Sequence, residues 1–249
     1  MKLVKHTLLL LLAVSALLFT GCKPDEQTNG NFTLQVNPTY GSSAFVMNAA
    51  NTDPDGRNVK FNVFQFYLSN ITLIKNDNSE VLLKNVALVD LKNSLTFNIN
   101  GAQMNGDFKA IKFGVGLDSM LNNNTNPGDE PVTSPLYTDN NLGYWGWMKY
   151  IFYKIEGVTD TTTSGQQTYN NTFLYHIGTD DLYREVTLTK NFSICCNNAV
   201  TLNLNFDVRK VFYGDTETID IVTQNVTQTS DHSHTAVSMA NNLPKAFSL

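Results

Sequence analysis

The sequence predicts an all-β protein, a sandwich or a barrel, with long loops and one short helical segment at the C-terminus. Three observations predict it. Short runs of alternating apolar and polar residues recur along the chain, the mark of half-buried strands. Clusters of Asn, Asp, Gly, Pro and Thr separate them, as in "NTDPDGRN", "KNDNSE", "NNNTNPGDEP" and "TDTTTSGQQTYNN". The stretch "GYWGWMKYIFYKIEG" gathers Tyr144, Trp145, Trp147, Tyr150, Phe152 and Tyr153, enough ring area to form part of a core.

The elements follow in chain order. "MKLVKHTLLLLLAVSALLFTGC" has Lys2 and Lys5, an apolar run from Leu8 to Phe19, and small residues before Cys22. That is a signal peptide, too short to span a bilayer comfortably. Its ending "LFTGC" resembles a lipobox, so cleavage is expected before Cys22, which becomes the lipidated first residue. The expected division is a signal peptide over 1–21, a lipidated cysteine and polar tether over 22–30, and one β domain over 31–249. Lys23 follows the cysteine, so the usual inner-membrane retention residue, Asp, is missing. The acidic "KPDE" resembles the surface-export signal of Bacteroidetes lipoproteins. The expected place is therefore the cell envelope, at the outer membrane and facing its surface.

Strands are expected over 32–36, 59–68, 71–74, 81–83, 86–90, 95–99, 110–117, 147–156, 172–177, 186–190 and 199–209. "NAVTLNLNFDVRK" alternates most cleanly, with Val200, Leu202, Leu204, Phe206 and Val208 on one face. "VKFNVFQFYLSN" shifts phase by one residue after Val63, which calls for a bulge or a strand buried on both faces. In "KFGVGLDS", Gly114 and Gly116 read as strand glycines where another backbone comes close. The stretch 122–143 is long for a structureless loop, and such loops tend to be functional or mobile. Ala236, Met239, Leu243 and Phe247 fall at helical spacing, and Pro244 keeps that helix short or irregular.

Charge excludes one class of partner. The chain carries 17 Lys+Arg against 22 Asp+Glu, a net charge of −5, and loss of the leader removes two lysines. Without basic runs it is no nucleic-acid binder. The adjacent Cys195 and Cys196 read as two small buried residues, since vicinal cysteines pair only in strained geometry and no further cysteine completes a zinc site. Nucleotide-loop, zinc-protease and serine-hydrolase motifs are absent, and no acid, base and nucleophile set converges, so the chain does not read as an enzyme.

After the leader, the histidines are His176, His232 and His234. His176 sits at a strand end in "TFLYHIGTDD", where a structural role competes with ligation. His232 and His234 are two apart in "DHSHTAVSM". On an extended chain they face one way, which suits chelation of copper or zinc, although such a pair can also simply be solvated. Trp145 and Trp147 are also two apart. On one strand they would share a face, as core rings, as a stacking platform or as a redox-active indole.

Several stretches stand in an order that resembles one family: "FQFYLSNITLI", "NVALVDL", "GDFKAIKFGVGLDSMLN", "SPLYTDNNLGYWGWMKYIFYKIEG", "FLYHIGTDD" and "MANNLPKAF". The set is similar to the MbnP-like family of exported copper-associated proteins, many of them Bacteroidetes lipoproteins. The resemblance implies an antiparallel β-sandwich, Ig-like in general architecture, and copper as cofactor with histidine among its ligands. His176 matches the family's H-x-G histidine, which with His232 and His234 makes the candidate metal set. It also implies a tryptophan, Trp145 or Trp147, oxidised to kynurenine by a di-haem partner, MbnH. Two departures stand out. Asn122 and Asn123 occupy the place of the family's "LNH", and Gly143 replaces the methionine of "M-x-W-x-W". An interaction or ligand-binding module of the envelope, without a working metal site, is the alternative.

Overall fold

Two β-sheets face each other and bury a core of aromatic rings between them. The structure, a computed structural model, describes residues 30–93, 95–99, 104–146, 149–195, 197–215, 217–227 and 233–249. The signal peptide, Cys22, nearly all of the tether, Trp147, Cys196 and His232 lie outside the described residues.

The strands are β1 (Asn31–Tyr40), β2 (Ser43–Ala44), β3 (Asn51–Thr52), β4 (Asn58–Lys75), β5 (Glu80–Asp90), β6 (Thr96–Ile99), β7 (Gly106–Val115), β8 (Tyr144–Trp145), β9 (Lys149–Thr159), β10 (Asn171–Gly178), β11 (Arg184–Ile194), β12 (Ala199–Asp207), β13 (Val226–Thr227) and β14 (Phe247–Ser248). Among the described residues, three short α-helices join them: α1 (Ser119–Asn124), α2 (Val208–Phe212) and α3 (His234–Asn242). The smaller sheet runs β14-β12-β1-β2, with β6 also on β1. The larger runs β11-β7-β4-β9-β10-β13, with β3 and β5 on β4 and β8 on β9. Pairing is antiparallel except for two parallel pairs, β1 with β12 and β10 with β13. The sandwich is the architecture the resemblance implies.

β4 organises the larger sheet. Residues 59–66 pair with β9 and residues 68–75 with β7, both along one edge, while β5 lies along the other. The phase shift at Val63 is a bulge in the register with β9. A second irregularity, in the register with β7, falls between Ser69 and Thr72 and includes Asn70, whose φ of 50 lies in the left-handed region. Thus 59–68 and 71–74 form one bent strand rather than two. Phe66, Tyr67 and Leu68 are all fully buried, so this part of β4 is covered on both faces. Phe64 and Phe66 meet Phe206 of β12, and Phe206 meets Phe247 at 4.8 Å between centroids.

Local chemistry sets where several elements end. The predicted strand through Arg209 stops at Asp207, whose carboxylate accepts from Arg209 N at 3.0 Å and caps α2. Ser233 caps α3 in the same way, accepting from Ala236 N at 3.2 Å. Pro244 then tightens the chain into a 3-10 turn, Leu243–Ala246. Phe247, expected on the helix, instead starts β14 and pairs with Phe206. Gly114 has no room for a side chain, but side chains rather than backbone approach it. A Cβ there would lie 2.3 Å from the Tyr183 ring and 2.6 Å from Ser69 Oγ. Cys195 is half-buried at the end of β11, less covered than expected.

Candidate functional site

Three stretches that the sequence singled out meet at one end of the sandwich: "SMLNNN", "GYWGWMKY" and "HIGTDD". α1 follows β7 and is capped by Asp118, which accepts from Leu121 N at 2.8 Å and from Asn70 Nδ2 at 2.6 Å. Asn122 on this helix is buried. Its Nδ2 donates to Asp180 Oδ1 at 2.8 Å, and its Oδ1 accepts from Tyr150 N at 3.2 Å. Asn123 donates to the other oxygen, Asp180 Oδ2, at 2.7 Å. One carboxylate, in the 3-10 turn Asp180–Leu182 after β10, therefore holds α1, and through Asn122 the first turn of β9.

Trp145 stands on the neighbouring hairpin. β8 folds back on β9, pairing Tyr144 with Tyr150 and Trp145 with Lys149. β8 ends at Trp145 and the chain has reversed by Lys149, while Trp147, and with it the expected shared face of the two tryptophans, lies outside the described residues. The reversal is closed by Lys149 with φ 64. Tyr144 packs edge-on to Tyr150 at 4.9 Å, with the Lys149 ammonium 5.9 Å from its centroid.

The stretch 122–143 is well tied rather than structureless. Tyr67 Oη donates to Pro135 O at 3.1 Å and accepts from Leu142 N at 3.0 Å, while Tyr150 Oη donates to Leu136 O at 3.2 Å. Burial pushes both phenols up, well above the usual tyrosine range, so they remain protonated donors. Leu136 and Leu142 are buried beneath the loop. Asn126, Pro127, Thr138, Asn141, Tyr144 and Trp145 line an open groove of about 590 Å3.

The described histidines, His176 and His234, have their partners outside this junction. On β10, Phe173, Tyr175 and Ile177 point into the core and His176 to the opposite face. Its Nε2 lies 2.7 Å from Glu156 Oε1, and its side chain is 13% exposed. His234 opens α3, and its Nδ1 is 3.5 Å from Ser238 Oγ, while its expected partner His232 lies outside the described residues. Glu217 accepts from Ser238 and Asn241; these bonds, with His234 nearby, hold its carboxyl below the usual range. Among the described residues, no group of three or more His, Cys, Asp or Glu could hold a metal ion. Thr227 sits opposite Tyr175, and Thr227 Oγ1 is 3.1 Å from Ser233 Oγ.

The MbnP family profile matches residues 29–234. The chain belongs to the MbnP family. Among solved structures it is similar to MbnP from Methylosinus trichosporium, at 13% sequence identity and a TM-score of 0.53, covering 84% of this chain and 87% of that one. At that identity the likeness shows the shared fold. No curated protein matches the chain. Within this MbnP frame, sequence reasoning missed two arrangements. One is the Asn122–Asp180–Tyr150 junction, whose members are far apart in sequence. The other is a buried ion cluster around Arg57, hidden in what read as a turn, "DPDGRN".

Proposed function

We propose that this MbnP-family protein is a lipid-anchored envelope protein that binds copper through His176, with His232 and His234 completing the nitrogen set. The observation that carries the reading is the 2.7 Å contact of His176 Nε2 with Glu156. A metal-bound imidazole commonly gives its other ring nitrogen to a carboxylate, which fixes the ring and strengthens it as a donor. His176 is held in that manner, leaving Nδ1 for a ligand. Imidazole suits copper, and a bound copper ion would supply one-electron chemistry. The placement of Thr227 beside Tyr175 favours His232 as a second ligand. Asn123 is not part of the set: its nitrogen is spent on Asp180, and an amide oxygen is a poor ligand for a soft ion.

In this reading Cys22 carries the lipid, the protein stands at the outer membrane, and it acts as a carrier rather than an enzyme. A di-haem peroxidase of the MbnH type oxidises Trp145 or Trp147 to kynurenine. Copper titration of the mature protein and of a His176→Ala, His232→Ala, His234→Ala variant tests the binding. Equal, weak binding by both would refute it. Intact mass after co-expression with the peroxidase tests the oxidation, since indole opening to kynurenine adds about 4 Da. A ligand-binding module without a metal site is favoured by one observation, the groove beside Tyr144 and Trp145.

A further inference from the structure

We propose that Asp180 and Asn122 form a latch that sets the position of the aromatic hairpin, with strain at Thr179 opposing its closure. The proposal stands apart from copper binding and from oxidation of the indole.

The latch rests on three hydrogen bonds that join three side chains and one backbone N–H. Asp180 takes one from Asn122 and one from Asn123, and Asn122 in turn takes the Tyr150 N–H. Tyr150 is opposite Tyr144 in the hairpin, so its backbone is the hinge on which Trp145 is carried. The junction is not built from an apolar core. It depends on an acceptor pair that only a carboxylate supplies, because Oδ1 and Oδ2 must both accept from amide nitrogens.

The backbone on either side is strained. Thr179 precedes Asp180 with φ 89 and ψ 145, a region close to one used almost only by glycine and costly for a β-branched residue. Its Oγ1 is buried with no hydrogen-bond partner among the described residues. Lys149, directly before Tyr150, has φ 64. Residues persist in such conformations only where surrounding contacts hold them. Here the holding contacts include those of Asp180, beside Leu182 N to Thr179 O at 3.0 Å and Tyr153 Oη to Leu182 O at 2.6 Å. Letting Asp180 go relaxes Thr179, wets its hydroxyl and frees the Tyr150 N–H together. The element has two arrangements, closed with strain and open without it, and the first exposes less of the hairpin base.

Amide hydrogen exchange in the full-length mature chain tests this, read at Tyr150 and, as controls, at Phe66 and Phe113 in the core. Asp180→Ala should speed exchange at Tyr150 at least about tenfold and leave the controls unchanged. Asp180→Asn keeps one accepting oxygen for Asn122, so it should fall between. Thr179→Gly should act in the opposite direction, slowing exchange at Tyr150, because it removes strain while keeping the clamp. In a Trp147→Phe background, iodide quenching of Trp145 should follow the same order. Unchanged exchange at Tyr150 in Asp180→Ala overturns the latch. So does equal acceleration at Phe66 and Phe113, which marks general loosening. Faster exchange in Thr179→Gly overturns the role given to strain, and that variant reports even if Asp180→Ala does not fold.

Discussion

Replacing Arg57 by alanine should cost about 3 kcal/mol of stability, and the number follows from what it leaves behind. Arg57 is 8% exposed and contacts three carboxylates: Asp53 at 2.7 Å, Asp220 at 2.8 Å and Asp55 at 2.9 Å. Asp55 has a side chain 65% exposed, so its share is under about 1 kcal/mol. Asp220 is about one-third exposed and keeps bonds from Thr223 and from Val222 N. Asp53 decides the outcome. It is 4% exposed, and without the guanidinium it retains only Arg57 N at 2.8 Å and Tyr213 Oη at 3.2 Å as donors. Removing one partner of a buried ion pair costs roughly 3–5 kcal/mol, and these two remaining bonds place Arg57→Ala at the low end. For a chain of this size, that is a fall in Tm of about 6–12 °C. Thermal and urea unfolding of Arg57→Ala, Asp53→Asn and the double variant measure it. In the Asp53→Asn background the arginine should matter much less, giving a coupling of about 1.5 kcal/mol or more. A loss below about 1 kcal/mol, or additive single effects, would refute the claim that a buried Asp53 charge depends on Arg57.

Acid should loosen the same cluster. Burial pushes the Asp220 carboxyl up, but bonds from Thr223, Val222 N and Arg57 outweigh it and hold the group below its usual range. Its contribution is therefore complete above the unfolded value of about 3.9 and is lost as pH falls through the lower folded value. Urea midpoints from pH 7 to 2 should show an acid limb that Asp220→Asn flattens below about pH 4. Gly157→Ala should fail to fold or lose several kcal/mol, since its Cβ would sit 2.1 Å from Lys60 O and 2.3 Å from the Phe173 ring. Circular dichroism melts read that directly. Ser233→Ala should remove about 1 kcal/mol by uncapping α3, again measured by urea unfolding. Glu156→Gln should weaken copper binding about 10–100-fold if His176 is a ligand, and a titration showing no change would remove Glu156 from that role.

The sheet was legible because its code is short-ranged. Leu202, Leu204 and Phe206 of β12 are buried and Thr201, Asn203 and Asn205 exposed, as a period of two dictates. The phase shift at Val63 located a real bulge for the same reason. What failed depended on partners remote in sequence or on one capping group. Nothing near Val208 states that the strand must stop, except that Asp207 can turn back to cap the next residues. Likewise, Ser233 makes His234 helical, although H-x-H alone reads as extended. The clamp was out of reach altogether: Asn122 meets Asp180 and Tyr150 only because β7, β9 and β10 end at the same side of the sheet. The family motifs include Asn122, Tyr150 and Asp180, each in a different stretch, but not the hydrogen bonds that join them.

Strand direction also fixes how the hairpin stands relative to the point where the chain enters the domain. Gly30 N donates to Met104 O, and Asn31 N to Asn198 O, beside the ends of β7 and β11 marked by the pair Ile194 and Gly106. The opposite end of these two strands is the pair Arg184 and Val115. α1 begins four residues after Val115, and the Asp180 turn ends two residues before Arg184, so both belong to that far end. At about 3.3 Å per residue, the ten residues of β7 separate the two ends by roughly 30 Å. With Cys22 lipidated as proposed, attachment through Gly30 would hold Trp145 and its groove on the side away from the attachment. Lengthening the tether should leave the access of a soluble quencher to Trp145 unchanged. In that proposed arrangement, burying the tryptophan against the anchoring bilayer would require the sandwich to invert, and a quencher in solution would then lose its access to Trp145.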